Sequence, residues 1–377
     1  MVLLQALDDH KKQALIIKAA CFFWLLTKLI TYKAWIADRL LPTVGIFRFL
    51  DEIPSMVHLL VYIMACTALA AFMLSGRRLI LAIAVIAEIS ACMLDVLRLQ
   101  PWEYLYLFIA VFYVVSKNRP QLFLAALILL LSSTYIFSGL HKISGAYLNK
   151  IWESLILHGY FGIRNSGIIL HYAGLLLPIA ELFLGFGLLI FENKRWVAKA
   201  LIIMHISILL WLGPTGLNIN YSIWPWNLCM ITIHALLSVY RVSALTLLKD
   251  IPTGALVVLM LFWLVLPASN LFGYWGHYLS SGMYTGKGAT VSLCFTGTKE
   301  NKGLEPYLSG PSKRLVIGNG KTRIFLSRWT EGETGVMPFP QFWYYKRILD
   351  RARAVYPDSG FRMYYTVYKQ KEIIEIR

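Results

Sequence analysis

The sequence predicts an all-α polytopic membrane bundle of about nine transmembrane helices, followed by a small C-terminal α+β extramembrane domain. Three observations carry this. The 377 residues are 58% hydrophobic and 15% charged, with a mean hydropathy of +0.61. That is more apolar surface than one soluble core of this length hides, so the excess faces lipid. Apolar runs near the length a bilayer requires recur from Ala14 to Phe272 and then stop. The break divides the chain into a transmembrane bundle, residues 1–272, and a C-terminal domain, residues 273–377.

The first run, Ala14–Ile30, follows Lys11 and Lys12. Lys18 and Lys28 interrupt it and no small-residue cleavage site follows, so it reads as a membrane helix rather than a signal peptide. Ser55–Leu74 and Leu79–Leu97 come next. The fourth, Glu103–Ser116, is short; Pro101 just before it suits a first helical turn, and the helix starts within the interface or packs obliquely. Gln121–Leu140, Ile168–Phe191, Trp196–Leu212, Trp224–Tyr240 and Gly254–Phe272 complete the set. In the tail, Ala289–Thr296 is strand-like, Gln341–Val355 has a helical apolar pattern and Arg362–Tyr368 alternates as a strand.

Charge orients the bundle. With nine crossings, Lys11 and Lys12, Arg77 and Arg78, Lys117 and Arg119, Lys194 and Arg195, and Arg241 all lie on one side. Basic loops mark the cytoplasm, so the amino terminus is inside and the tail outside a cell (inner) membrane. This accounts for much of the net charge of +16 without a nucleic-acid partner. The outer side receives segments 31–54, 98–102, 141–167 and 213–223 with the tail, where basic residues outnumber acids about two to one. That surface is simply solvated, or it docks on lipid headgroups, on the mouth of the bundle, or on an exported protein or peptide. Cys21, Cys66, Cys92 and Cys229 fall in apolar runs and Cys294 stands alone, which argues against a disulfide framework. No zinc spacing, P-loop or G-x-S-x-G occurs, so no metal site is expected.

Four groups of residues could carry chemistry. His141 and Lys142 end the fifth helix, with Trp152 beyond. Lys142 either snorkels to headgroups or stands over a water-poor cavity, where a neutral amine is a base and His141 could relay its proton. Asp95, Arg98, Gln100, Trp102 and Tyr104 mark the turn between helices three and four; the spacing of Asp95 and Arg98 allows a local ion pair, and the aromatics also fit an interfacial belt. Asn218, Asn220, Trp224, Trp226 and Asn227 follow the Gly213-Pro214 break, as lining of a flat-ligand site or as interfacial anchors. Glu88, Glu181 and His205 lie near mid-helix, where ionisable groups are functional candidates; a Glu–His hydrogen bond between helices is the structural alternative.

Tyr135-Ile136-Phe137-Ser138-Gly139-Leu140-His141-Lys142, with Trp152 beyond, resembles the horizontally transferred transmembrane domain family, related to the vitamin K-dependent gamma-carboxylases. The Asp95–Tyr104 and Gly213–Asn227 stretches are similar to bacterial members, and the resemblance covers the bundle. It implies that Lys142 is the base that deprotonates a reduced naphthoquinone, making a quinone the candidate cofactor. The carboxylase motif has a second lysine where this chain has His141, and the large lumenal domain of the carboxylases is not covered. Three functions follow as expectations: a quinone-linked membrane enzyme with Lys142 as base, a non-catalytic subunit docking an exported partner through its tail, and a transporter with Glu88, Glu181 and His205 as a proton path. The lack of inverted repeats disfavours the last.

Overall fold

The computed structural model describes residues 8–117, 119–249, 251–296, 299–307, 321–366 and 374–376. It is 71% helical. Its longer helices are α1 (Asp9–Ile30), α2 (Ser55–Ser75), α3 (Arg78–Leu94), α4 (Pro101–Ser116), α5 (Pro120–Lys142), α6 (Leu176–Ile190, preceded by the turn Ile168–Ala173), α7 (Arg195–Leu212), α8 (Ile223–Leu237) and α9 (Thr253–Met260). The last continues through a π-helical turn, Leu261–Val265, toward Phe272.

Among the described residues, six spans are long and apolar enough to cross a membrane: Asp9–Ile30, Ser55–Ser75, Pro120–Lys142, Ile168–Ile190, Arg195–Leu212 and Thr253–Phe272. This is the make-up of a multi-pass membrane protein. The expected count of nine adds α3, α4 and α8, which are 17, 16 and 15 residues long. At 1.5 Å per residue they reach only about 22–26 Å, short of a ~30 Å hydrocarbon core.

Local sequence sets these boundaries. Pro101 and Pro120 begin α4 and α5, where a missing N–H costs nothing. The helix α5 is apolar all round its first half and then turns to Ser, Thr and Gly, and 83% of its membrane-length window is buried, against 17–44% for the other five spans. A Cβ on Gly139 would lie 2.5 Å from the Pro178 carbonyl, and one on Gly185 2.8 Å from the Ile136 nitrogen. These two glycines let the α5 and α6 backbones touch.

The described residues form two compact units. The first holds residues 1–27, 66–85 and 101–286 and is all helical. Its buried interior includes Trp24, whose Nε1 donates to Glu103 at 2.7 Å and whose ring stacks on Tyr106.

The second unit holds residues 28–65, 86–100 and 287–377. Its antiparallel sheet comprises β1 (Thr290–Thr296), β2 (Lys321–Phe325), β3 (Arg362–Thr366) and β4 (Ile374–Ile376), in the order β2-β1-β3-β4. The expected strands at 289–296 and 362–368 and the helix at 341–355 appear, the last as α11 (Phe342–Val355); residues 367 and 368 lie outside the described ones. A further helix, α10 (Leu326–Thr334), and strands β2 and β4 were not legible in the periodicity. Leu293, Ile324, Trp329, Tyr344, Ile348 and Met363 fill the core.

The tail elements in this unit grip the segment that follows α1. Glu333 accepts from the Leu40 and Leu41 amides at 2.5 and 2.9 Å, and Trp329 Nε1 donates to it at 2.9 Å. Arg347 holds both Asp51 carboxylate oxygens at 2.6 and 2.5 Å, and Arg351 reaches Glu52 at 3.2 Å. Two cations of the basic tail are thus matched by acids of the chain itself.

Candidate functional site

Three turns of α5 supply the start of a site in the first unit. Tyr135, Ser138 and Lys142 fall at spacings of three and four, hence on one helix face. Lys142 Nζ donates to Ser138 Oγ at 2.9 Å and pairs with Glu181 of α6 at 2.7 Å, with side chains 16% and 11% exposed. Of three N–H donors on that ammonium, two are thereby used.

Two turns of helix below Lys142, Tyr135 Oη lies 2.7 Å from His205 Nε2 of α7 and 2.6 Å from His234 Nε2 of α8. His205 Nδ1 lies 2.7 Å from Asn227 Oδ1, and Asn227 Nδ2 donates to the Ile223 carbonyl at 2.8 Å. Polar side chains of four helices therefore meet here, where unpaired polar groups are costly.

Both clusters open on one cavity of about 480 Å³. Lys142, Ser138, Glu181, Tyr135, His205 and Asn227 provide its polar lining. Most of the rest is apolar or aromatic, including Tyr104, Tyr147, Leu177, Met204, Trp211 and Trp226. The buried Tyr104 hydroxyl has no hydrogen-bond partner among the described residues. The π-helical segment Tyr147–Tyr160 forms one wall with Tyr147, Ile151, Leu155 and Ile156. Burial, reinforced by the Glu181 charge, pushes the Tyr147 phenol well above its usual range, so it stays a hydrogen-bond donor. The volume suits a small flat molecule, since ligand sites occupy roughly 300–1,000 Å³.

The other expected site residues are distributed differently. His141 is buried with its ring against Phe137 and His277, and it is not among the lining residues. Trp152 donates to the Leu170 carbonyl at 2.8 Å and packs on Gly174, outside the lining set. Its neighbour Glu153 is held below the usual carboxylate range, chiefly by the His171 hydrogen bond. Trp102 is buried without lining the cavity, and Trp224 packs edge-on to Tyr221. Asn218 and Asn220 shape the turn, both with positive φ of 52° and 48°. Asn220 Nδ2 also donates to the hydroxyl of Tyr284, itself a lining residue, at 2.7 Å.

Asp95, Arg98 and Gln100 belong to a network in the second unit. The expected Asp95–Arg98 pair does not form: Asp95 takes Arg39, while Arg98 donates to the Ala34 and Ala91 carbonyls, both at 3.0 Å, and meets His58 Nδ1 at 2.8 Å. The reason is local. The chain leaves the α-helix after Leu94, Asp95 is extended and caps Leu97, and the helical i,i+3 geometry is lost. Burial draws the Arg98 pKa down to about 10, still a cation at neutral pH. Gln100 donates to the Leu97 and Met337 carbonyls at 2.7 and 2.9 Å.

Glu88 is in the same unit. It pairs at 2.5 Å with Lys28, whose ammonium stands 2.9 Å above the Trp35 ring. The expected Glu–His bond is therefore replaced: Glu88 takes Lys28, Glu181 takes Lys142, and His205 takes Tyr135 and Asn227. His234 and Lys28 were missed as partners although they are ionisable groups in apolar helices, the signal that had flagged Glu88. Comparisons with protein-family models, with curated proteins and with solved structures find no match.

Proposed function

We propose that this chain is an inner-membrane protein of nine crossings, amino terminus in the cytoplasm and C-terminal domain outside, whose cavity binds a lipid-soluble quinone-class molecule at an acid–base site. One observation carries the ligand reading: the Lys142–Glu181 ion pair faces a cavity of about 480 Å³ with aromatic walls inside membrane-length helices. An ion pair is costly in such surroundings, which makes it a functional candidate. The likeness of Tyr135–Lys142 to the gamma-carboxylase motif supports the same ligand class.

The residues present fit such a group. A flat ring system packs against Tyr104, Tyr147, Trp211 and Trp226, and polar groups stand at two levels of α5, seven residues and about 10 Å apart. A reduced quinone, when bound, supplies an acidic hydroxyl. Lys142 alone is not the base in this arrangement, because its ammonium already faces a carboxylate. Glu181 would be the group placed to accept a proton there, and the Lys142 ammonium, with its remaining N–H, would be the donor facing the same ligand oxygen. Trp226, Asn227 and His205 orient the far end.

Lipid extraction from the purified protein, read by mass spectrometry, should recover a quinone. Menadione should quench tryptophan fluorescence saturably, with Lys142→Met and Glu181→Gln each weakening binding about tenfold, roughly 1.4 kcal/mol. Quenching no stronger than in empty detergent, with no quinone in the extract, sinks the reading.

A further inference from the structure

We infer that His234, Tyr135 and His205 form a one-way proton relay directed into the cavity, with His205 the residue that hands the proton to a ligand oxygen. The identity of the acceptor rests on the quinone-class reading; the relay itself rests on hydrogen-bond geometry alone.

The proton positions follow from an asymmetric end. Asn227 Nδ2 faces the Ile223 carbonyl, which can only accept, so the amide oxygen is the atom facing His205 Nδ1. An oxygen there demands an N–H on Nδ1. With His205 neutral, its Nε2 carries the lone pair and must accept from Tyr135. The single tyrosine O–H is then committed, so Tyr135 Oη accepts from an N–H on His234 Nε2. His234 Nδ1 is left as a bare lone pair, buried and without a partner among the described residues. Every hydrogen bond points the same way, from His234 to His205.

From this resting arrangement the chain passes one proton in one sense, and it must return to its starting tautomers before it passes the next. A proton arriving at His234 Nδ1 forms an N–H bond there as the Nε2–H bond breaks toward Tyr135 Oη. The Tyr135 proton moves to His205 Nε2, and the positive charge appears on His205, which lines the cavity. His205 then gives up Nδ1–H to a ligand oxygen that replaces Asn227 Oδ1 as acceptor, and the charge is discharged. One proton enters and one leaves, with no change of oxidation state. The reverse traffic is blocked at rest, because Nδ1 already bears a hydrogen and cannot accept one from the cavity.

Position gives the relay a direction in the protein. His234 stands seven residues after Asn227 on α8, about 10 Å further along, toward the end followed by Arg241. Lys142 lies seven residues beyond Tyr135 on α5 and holds Glu181 of α6 at that level, so the cavity has one acid–base group at each level. The other titratable groups facing the relay are Glu181 and Cys229, which act on Tyr135, and Lys142, which acts on His205. A purely structural tyrosine needs one partner; two imidazoles on one hydroxyl amid apolar helices exceed that need.

The test is nitrogen NMR of full-length protein labelled with ¹⁵N-histidine, in lipid nanodiscs. Resting protein should show His205 protonated at Nδ1 and His234 at Nε2. On acidification one protonation step should be read at both rings together, since the proton is shared through the tyrosine. Tyr135→Phe should abolish that coincidence and leave two separate steps, while His234→Gln should leave His205 with a single step of its own. A proton on His205 Nε2 at rest, or rings that titrate independently in the wild type, overturns the relay. Menadione, whose binding is read separately by tryptophan quenching, should shift the His205 Nδ1 resonance. If it binds and that resonance stays, His205 is not the donor to the ligand. If it does not bind, the quinone reading falls, and the resting tautomers with the shared step still decide the relay.

Discussion

At the scale of single residues, the buried charges are ranked by how completely each is enclosed. Lys28 and Glu88 are wholly buried, while Lys142 and Glu181 keep 16% and 11% of their side chains exposed toward the cavity. Removing one member of an enclosed pair strands the other in low dielectric, a loss of about 3–5 kcal/mol. Glu88→Gln should therefore lower the melting temperature in detergent far more than Glu181→Gln, and Lys28→Met combined with Glu88→Leu should restore most of it. Equal losses in the two single variants would show that the exposure of the Lys142 pair has no energetic meaning. Glu88, Glu181 and His205 stand out in the sequence because mid-helix charge is visible in one dimension. Their partners lie 22 to 70 residues away in the chain, and only the packing of helices reveals which group meets which.

At the scale of elements, the decisive contact is α5 against α6, made possible by backbone approach. Gly139→Ala places a methyl 2.5 Å from the Pro178 carbonyl and 2.8 Å from the Leu182 nitrogen, neither of which can yield cheaply. A loss of about 1–3 kcal/mol is expected, together with weaker menadione binding, because Lys142 and Glu181 sit on the two displaced helices. Gly254→Ala has open space around its added methyl and serves as the control, with unchanged melting. In the second unit, the Arg347–Asp51 clamp makes a parallel case. A double-mutant cycle with Arg347→Met and Asp51→Asn should give a coupling of about 1–3 kcal/mol, and a value near zero would make the clamp incidental. Element identity was largely legible: apolar runs near membrane length gave the helices, and the strand-like stretch 289–296 and the alternation over 362–368 gave two strands. β2 and β4 were not, because Lys-Thr-Arg-Ile-Phe does not alternate and three residues are too few to show a period. The turn at Asp95 was also misread, since a helical spacing says nothing about a residue whose backbone has left the helix.

At the scale of the molecule, the number of crossings is set by three short helices, and two of them cancel. If α3 and α4 both cross or both do not, the side of every later segment is unchanged; the parity of the whole chain then hangs on α8. Without α8, the six long spans return the tail to the side of the amino terminus and leave Arg241 opposite the other basic clusters. With it, Arg241 joins Lys11, Arg78, Lys117 and Lys194, as the positive-inside rule requires. Lys194 contributes even though it is buried against the Leu188 and Phe191 carbonyls, because burial brings its pKa down only to about 8 and it remains largely charged at pH 7. The 15 residues of α8 span about 22 Å, yet nine of them are buried, including Trp226, Asn227 and His234. A helix enclosed by neighbours on most sides need not match the lipid thickness itself. Alkaline phosphatase fused after Arg377 should be active and green fluorescent protein fused there dark, with the reverse pair of signals for fusions after Arg241. Fluorescence from the Arg377 fusion would leave α8 short of a full crossing, and with it the proton entry at His234 would lose its assigned side of the membrane.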